Sequence, residues 1–231
     1  MVKTVLIFTF ILASLFGCSQ NPKSDQMEER KLTYLALGDS YTIGESVEED
    51  QRYPNQLMPL LEQPDAWDNP RIIAKTGWTV DELDAGINEA EDLSESYDLV
   101  TLLIGVNNQY RGRPVEDYAV DFEKMLLRAI GFAGDLPNHV VVLSIPDWGV
   151  TPFATSRGTD KEKNAAEIDE YNQKKKEICD KYGVAYIDIT EEYRVKGALP
   201  EGVASDGLHP SGAIYADWAE KLSKKVNQIN F

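Results

Sequence analysis

The stretch that decides the fold is residues 32–45, LTYLALGDSYTIGE. Its first six residues are a short apolar run with the make-up of a buried strand, and the run stops at Gly38-Asp39-Ser40-Tyr41. Four more runs share that character: residues 71–75 (RIIAK), 99–104 (LVTLLI), 139–145 (HVVVLSI) and 185–189 (AYIDI). The third and fourth of the five are almost unbroken in hydrophobicity, as expected of strands covered on both faces. Between them lie amphipathic stretches. Tyr118, Phe122, Met125, Leu126, Ala129 and Ile130 recur at helical spacing, residues 165–182 repeat the pattern, and Ile214, Trp218, Leu222, Val226 and Ile229 mark a last helix.

Strands alternating with helices predict an α/β fold: a five-stranded parallel sheet with helices on both faces. Ligands then bind beyond the carboxyl ends of the strands. Unusual polar residues collect there: Gly38-Asp39-Ser40 after the first strand, Thr76-Gly77-Trp78-Thr79 after the second, Gly105-Val106-Asn107-Asn108-Gln109-Tyr110-Arg111 after the third, and Pro146-Asp147-Trp148 after the fourth.

The N-terminus reads differently. Lys3 followed by an apolar run from Val5 to Phe16 fits a secretory signal and is too short to span a bilayer. It ends in Leu15-Phe16-Gly17-Cys18, which resembles the lipobox of bacterial lipoproteins; that resemblance implies cleavage before Cys18, its acylation, and a membrane anchor. An ordinary secretory signal with an incidental Cys18 is the alternative. Residues 19–31 (SQNPKSDQMEERK) are polar and aperiodic, as a flexible tether would be. The expected organisation is a signal peptide over 1–17, a tether over 18–31 and one domain over 32–231, on an exported protein facing the periplasm or the cell surface. Cys179, on the apolar side of a helix, reads as a buried structural thiol.

The formal charge of −16 disfavours nucleic acid as a partner and close contact with anionic lipid other than through the anchor. Glu45, Glu48, Glu49 and Asp50 form an acidic run without His or Cys, which reads as a solvated loop and not as a metal site.

A serine becomes a nucleophile when a base takes its proton. Of the two histidines, His139 opens a strand at the far end of the sheet, whereas His209 lies in Ser205-Asp206-Gly207-Leu208-His209-Pro210 before the last helix. Asp206 could fold back on the imidazole and fix its tautomer; taken alone it would also serve as a cap or turn residue. Acyl transfer further needs donors for the oxygen that gains charge. The Ser40 N–H, the Gly77 N–H and the Asn107 amide follow three strands. Singly, Gly77 could be a turn glycine and Asn107 an Asx-turn residue. Trp78, Tyr110 and Trp148 are candidates to line a pocket, or else core, and Arg111 and Arg113 to meet a polar substrate.

Gly38-Asp39-Ser40, Gly77, Gly105-Val106-Asn107 and Asp206-x-x-His209 together resemble the four sequence blocks of the SGNH/GDSL hydrolase superfamily, in the family's order. The resemblance implies a flavodoxin-like three-layer α/β/α sandwich and a metal- and cofactor-independent serine esterase. It assigns Ser40 as nucleophile, His209 as base, Asp206 as its orienter, and Ser40, Gly77 and Asn107 as the oxyanion hole. Asn108 stands where the family often has Asp. Substrates would be small, carbohydrate-linked or lysophospholipid acyl esters. The α/β-hydrolase elbow Gly-x-Ser-x-Gly is missing from the chain. Two other classes compete: a non-catalytic lipoprotein that binds glycan or a partner in the same cleft, and a mononucleotide binder, which Asp39 and Glu45 in the first loop disfavour by repelling phosphate.

Overall fold

The computed structural model describes residues 1–2 and 30–231, so the signal, Cys18 and most of the tether lie outside the described residues. Strand β1 spans Tyr34–Gly38 and leads directly into helix α1 (Ser40–Ile43), with α2 (Tyr53–Leu57) following. Next come β2 (Arg71–Ala74), α3 (Val80–Glu89), β3 (Leu99–Leu103), α4 (Val106–Tyr110), α5 (Val115–Phe132) and β4 (Val140–Leu143). The chain ends with α6 (Pro152–Ser156), α7 (Lys161–Tyr182), β5 (Ala185–Ile187), α8 (Thr190–Lys196) and α9 (Gly212–Val226).

The five strands form one parallel sheet in the order β2-β1-β3-β4-β5. Right-handed crossovers fix the layers. The chain moves outward from β1 to β2, then returns past β1 to β3, so α3, α5 and α7 pack in turn on one face and α2 packs against α9 on the other. This is the expected three-layer α/β/α sandwich. Every residue of β1, β3 and β4 is buried, which is why these strands read as unbroken apolar runs. The outermost β2 and β5 are only partly covered. β5 is also shorter than its sequence run, because Asp188 turns to cap the start of α8 by accepting from the Thr190 N–H at 2.7 Å.

Strand order reverses between β1 and β3, whose last residues, Gly38 and Leu103, pair in register. Such a switch point leaves a crevice above the carboxyl ends. Gly38 closes the floor of that crevice: a Cβ there would stand 2.1 Å from Thr42 Oγ1 and 2.3 Å from the Leu103 carbonyl oxygen.

Helix α7 carries an unusual inner face. Ile168, Tyr171 and Cys179 are buried as its periodicity predicts, but so are Asn164, Asn172 and Lys175. Asn172 and Lys175 serve the ends of the strands. Lys175 Nζ donates to the Ile104 and Leu143 carbonyls at 2.9 and 3.0 Å, and Asn172 brackets Ile145, accepting from its N–H at 2.7 Å and donating to its carbonyl at 3.0 Å. Buried backbone groups past the last ladder bond need such partners. His139 lies at the far end of the sheet, where its Nδ1 pairs with the Asp98 carbonyl and its ring meets Phe231 edge-on.

Candidate active site

Ser40 is the first residue of α1, and the preceding Asp39 caps that helix by accepting from the Tyr41 N–H at 3.0 Å. The Ser40 N–H, at the helix start, has no acceptor within the helix. Ser40 lines a cavity of about 160 Å³ together with Tyr41, Asn107, Tyr110, Trp148 and His209, closed by Val106, Phe153 and Leu208.

His209 is buried and tilted over the Tyr41 ring, centroids 5.2 Å apart. Its Nδ1 meets Asp206 Oδ2 at 2.6 Å, while Oδ1 of the same carboxylate accepts from the N–H groups of Leu208 and His209 at 2.9 and 3.0 Å. Gly207, at φ +69, makes the turn that folds Asp206 back on a histidine three residues later. Burial raises the Asp206 carboxyl, but the His209 hydrogen bond and the two backbone donors outweigh it, and the group lies below the ordinary aspartate range. An ionised carboxylate on Nδ1 leaves Nε2 as the basic nitrogen. Ser40 Oγ makes no hydrogen bond among the described residues; in unliganded sites the nucleophile–base contact is commonly long.

The loop after β3 is tied to the loop after β2. Asn107 Nδ2 donates to the Trp78 carbonyl at 3.0 Å, which leaves one N–H of that amide for another acceptor. Asn108 Oδ1 accepts from the Val80 N–H at 3.1 Å, so the residue in the family's Asp position still supplies an acceptor. Arg111 donates to the Gly77 carbonyl at 2.6 Å and to Glu82 at 3.0 Å. These bonds keep Gly77, at φ +85, in a conformation that favours glycine.

The structure thus divides the four candidate pocket residues. Tyr110 and Trp148 line the cavity, their rings edge-to-face at 5.1 Å. Trp78 and Arg111 do not: the Trp78 ring lies over Gly86 of α3, and the Arg111 guanidinium is engaged by Gly77 and Glu82. Arg113 likewise pairs with Asp81 at 2.5 Å. The acidic run is also accounted for locally. Glu45 accepts from Thr76 Oγ1, and Glu48 and Gln51 form a reciprocal cap.

Several residues around the site escaped the sequence reading. Trp148 Nε1 donates to Gln109 Oε1 at 2.9 Å; Gln109 donates on to Asn164 at 3.2 Å, Asn164 to Asp147 at 2.8 Å, and Arg194 Nε to Asp147 Oδ2 at 2.9 Å. This buried chain fixes the tryptophan wall. Gln109, Asp147 and Trp148 stand out in the sequence as residues that follow the third and fourth strands, but nothing there joins them to Asn164 or Arg194. Beneath the first loop, burial pushes the Asp39 carboxyl up to about 7 and the Lys175 ammonium down to about 7, each opposed by the charge of the other.

The chain belongs to the GDSL-like lipase/acylhydrolase family, whose sequence model matches residues 36–216. Solved structures share the fold at low identity. The lipase/acylhydrolase from Enterococcus faecalis is 19% identical with a TM-score of 0.62, the match covering 85% of this chain and 96% of that one. The acetylxylan esterase Axe2 from Geobacillus stearothermophilus is 18% identical with a TM-score of 0.63, covering 86% and 96%. A lipolytic protein of the G-D-S-L family from Veillonella parvula is 17% identical with a TM-score of 0.59, covering 86% and 97%. No curated protein sequence matches this chain. Family and fold together make it a hydrolase of the ester-cleaving GDSL class.

Proposed function

We propose that the protein is a metal-independent serine esterase that cleaves short acyl esters through an acyl-enzyme on Ser40. The observation that carries this reading is the 2.6 Å pairing of Asp206 with His209 at the wall of the cavity that Ser40 lines. His209 Nε2 takes the Ser40 proton as Oγ attacks the ester carbonyl, and the Asp206 carboxylate stabilises the imidazolium. The carbonyl oxygen, now negative, accepts from the N–H groups of Ser40 and Gly77 and the remaining N–H of Asn107. The intermediate collapses, His209 protonates the departing alcohol, and a water activated by His209 then releases the acid and frees Ser40.

Cavity size supports a small acyl group. About 160 Å³ is well under the roughly 300–1,000 Å³ of clefts that enclose drug-sized ligands, and its walls are mostly apolar. Acetylated carbohydrate is a fitting substrate class, as one structural relative is an acetylxylan esterase; a long lysophospholipid chain fits this cavity less well. The signal-like segment and Cys18 support a lipid-anchored, exported protein, and the acidic surface argues against nucleic acid as a partner.

The test is Ser40→Ala in the domain from Leu32 onward, with p-nitrophenyl acetate and acetylated xylo-oligosaccharide as substrates. Turnover and fluorophosphonate labelling should both vanish while the circular dichroism spectrum is unchanged. Undiminished turnover would refute the assignment.

A further inference from the structure

The carboxylate of Asp206 has one partner that the serine-esterase chemistry does not require. Ser46 Oγ donates to Asp206 Oδ2 at 2.9 Å, the same oxygen that faces His209 Nδ1. Ser46 belongs to a different part of the chain, the loop after α1, and the bond joins residues 160 positions apart. Its backbone lies at φ +65, a region that glycine or asparagine occupies with less strain than serine. What serine adds there is the hydroxyl. The loop is also fixed to the nucleophile: the Glu45 N–H, one residue earlier, donates to the Ser40 carbonyl at 3.0 Å, and Val47 N–H returns to the Gly44 carbonyl at 3.3 Å. A continuous path therefore runs from the backbone of Ser40, through a two-residue turn, to the oxygen that orients the base.

We propose that Ser46 is a positioning residue for the Ser40–His209–Asp206 site, its hydroxyl holding Asp206 Oδ2 at a set distance from His209 and locking the nucleophile's loop to the histidine's loop. The inference rests on the esterase reading of that site. The Asp206 side chain is 30% exposed; its Oδ1 is held by two backbone donors, whereas Oδ2 is held by side chains alone. Without Ser46, Oδ2 would have His209 as its only protein donor among the described residues, with water as the competitor. A residue that shares Oδ2 also moderates it: the hydroxyl draws negative charge away from the imidazole, so its removal strengthens the hold of Oδ2 on the imidazolium.

Other ionisable groups face this pair. Tyr41 lies against His209, and Tyr193 and Tyr215 act on Asp206 from α8 and α9; burial raises all three phenols, which stay neutral near pH 7. Asp39, pushed up to about 7 by burial, acts on Tyr41 and Tyr215, and Glu45 flanks Ser46. All are common to the wild type and the variants below, so differences between pH profiles isolate Ser46.

The experiment compares Ser46→Gly and Ser46→Ala in the full chain. Glycine relieves the positive φ and alanine does not, while both remove the hydroxyl. Both should lower kcat for p-nitrophenyl acetate by about three- to tenfold with KM within about twofold, the size of one ordinary net hydrogen bond, since Ser46 acts through Asp206 and not on the reacting atoms. Both should also move the acid limb of kcat/KM upward by roughly half a pH unit, because the imidazolium is held more strongly. Wild-type kcat in Ser46→Gly, or a lower kcat with the acid limb unmoved in both variants, would overturn the proposal and leave Ser46 a loop-shaping residue. Ser40→Ala separates the two levels of argument. If it abolishes turnover while Ser46→Gly is silent, only this inference falls; if it retains turnover, the esterase reading falls first.

Discussion

Replacing Asp206 by asparagine exchanges one carboxylate oxygen for an amide nitrogen, and the surrounding donors decide which one. Oδ1 accepts from the Leu208 and His209 N–H groups, so an amide oxygen must stay there. The nitrogen then occupies the position of Oδ2, where two acceptors await its two hydrogens: His209 Nδ1 and Ser46 Oγ. The loop should keep its shape, but Nδ1 is now an acceptor, the imidazole proton moves to Nε2, and the base toward Ser40 is lost. Recovering the active tautomer requires flipping the amide against two backbone donors, at about 1–3 kcal/mol for each group left unsatisfied. That is roughly 2–6 kcal/mol, and one decade of rate corresponds to about 1.36 kcal/mol. The negative charge that stabilised the imidazolium is lost as well. We expect kcat for p-nitrophenyl acetate to fall about a thousand- to ten-thousandfold, the upper figure being what the same exchange does in a serine protease triad. Fluorophosphonate labelling of Ser40 should slow in parallel, with the urea midpoint nearly unchanged. A fall of less than about tenfold in a folded variant would refute the claim that Asp206 orients the base.

Other perturbations separate structural from chemical roles. Gly38→Ala should yield no folded protein, since the Leu103 carbonyl 2.3 Å from the new Cβ belongs to the central sheet and cannot retreat; soluble, cooperative unfolding of this variant would contradict that packing. Gly77→Ala should fold, because its nearest neighbour is Arg111 Nη2 at 3.9 Å; the positive φ costs about 1–2 kcal/mol, seen as a melting point a few degrees lower, and crowding of the oxyanion donor should cut kcat/KM by at least about tenfold. Phe153→Ala lengthens the cavity and should raise the octanoate-to-acetate ratio of kcat/KM for p-nitrophenyl esters by roughly tenfold; an unchanged ratio would mean that acyl chains lie elsewhere. Lys175 gives a pH signature. Its folded proton leaves near 7, against 10.5 for an ordinary lysine, so the unfolded chain binds more protons between those values and stability rises with pH there. Lys175→Met should lack that rise in urea titrations from pH 7 to 10, and parallel curves for the two proteins would show that Lys175 is not desolvated.

The sheet was legible because its three central strands are buried on both faces, and short continuous apolar runs between amphipathic helices arise in few other architectures. Ser40, Asn107 and His209 could be placed near one another because each follows a strand or precedes the last helix, and parallel topology brings those ends together around one cavity. Side-chain direction was not legible. Trp78 and Tyr110 occupy similar places after β2 and β3, yet one ring turns down onto Gly86 and the other lines the cavity, a choice made by α3 packing. Arg111 read as free for substrate because nothing in its local sequence reveals the Gly77 carbonyl 34 residues earlier. Ser46 and Lys175 were missed for the same reason: their partners are distant in the chain, and a loop serine or a helical lysine is ordinary until a carboxylate or a pair of carbonyls is set against it.

The polar inner face of α7 bears on when the site comes into being. The loops that carry Ser40, Gly77 and Asn107 are all complete by residue 112, yet the carbonyls at the ends of β3 and β4 find their donor only at Lys175. During synthesis, a nascent chain that has released the first three strands holds the nucleophile's sequence but not its geometry. Competence is therefore gained late: α7 must dock, and the segment that carries Asp206 and His209, synthesised after it, must then close the site. In refolding, recovery of esterase turnover should lag behind formation of the first three strands and come no earlier than the burial of α7.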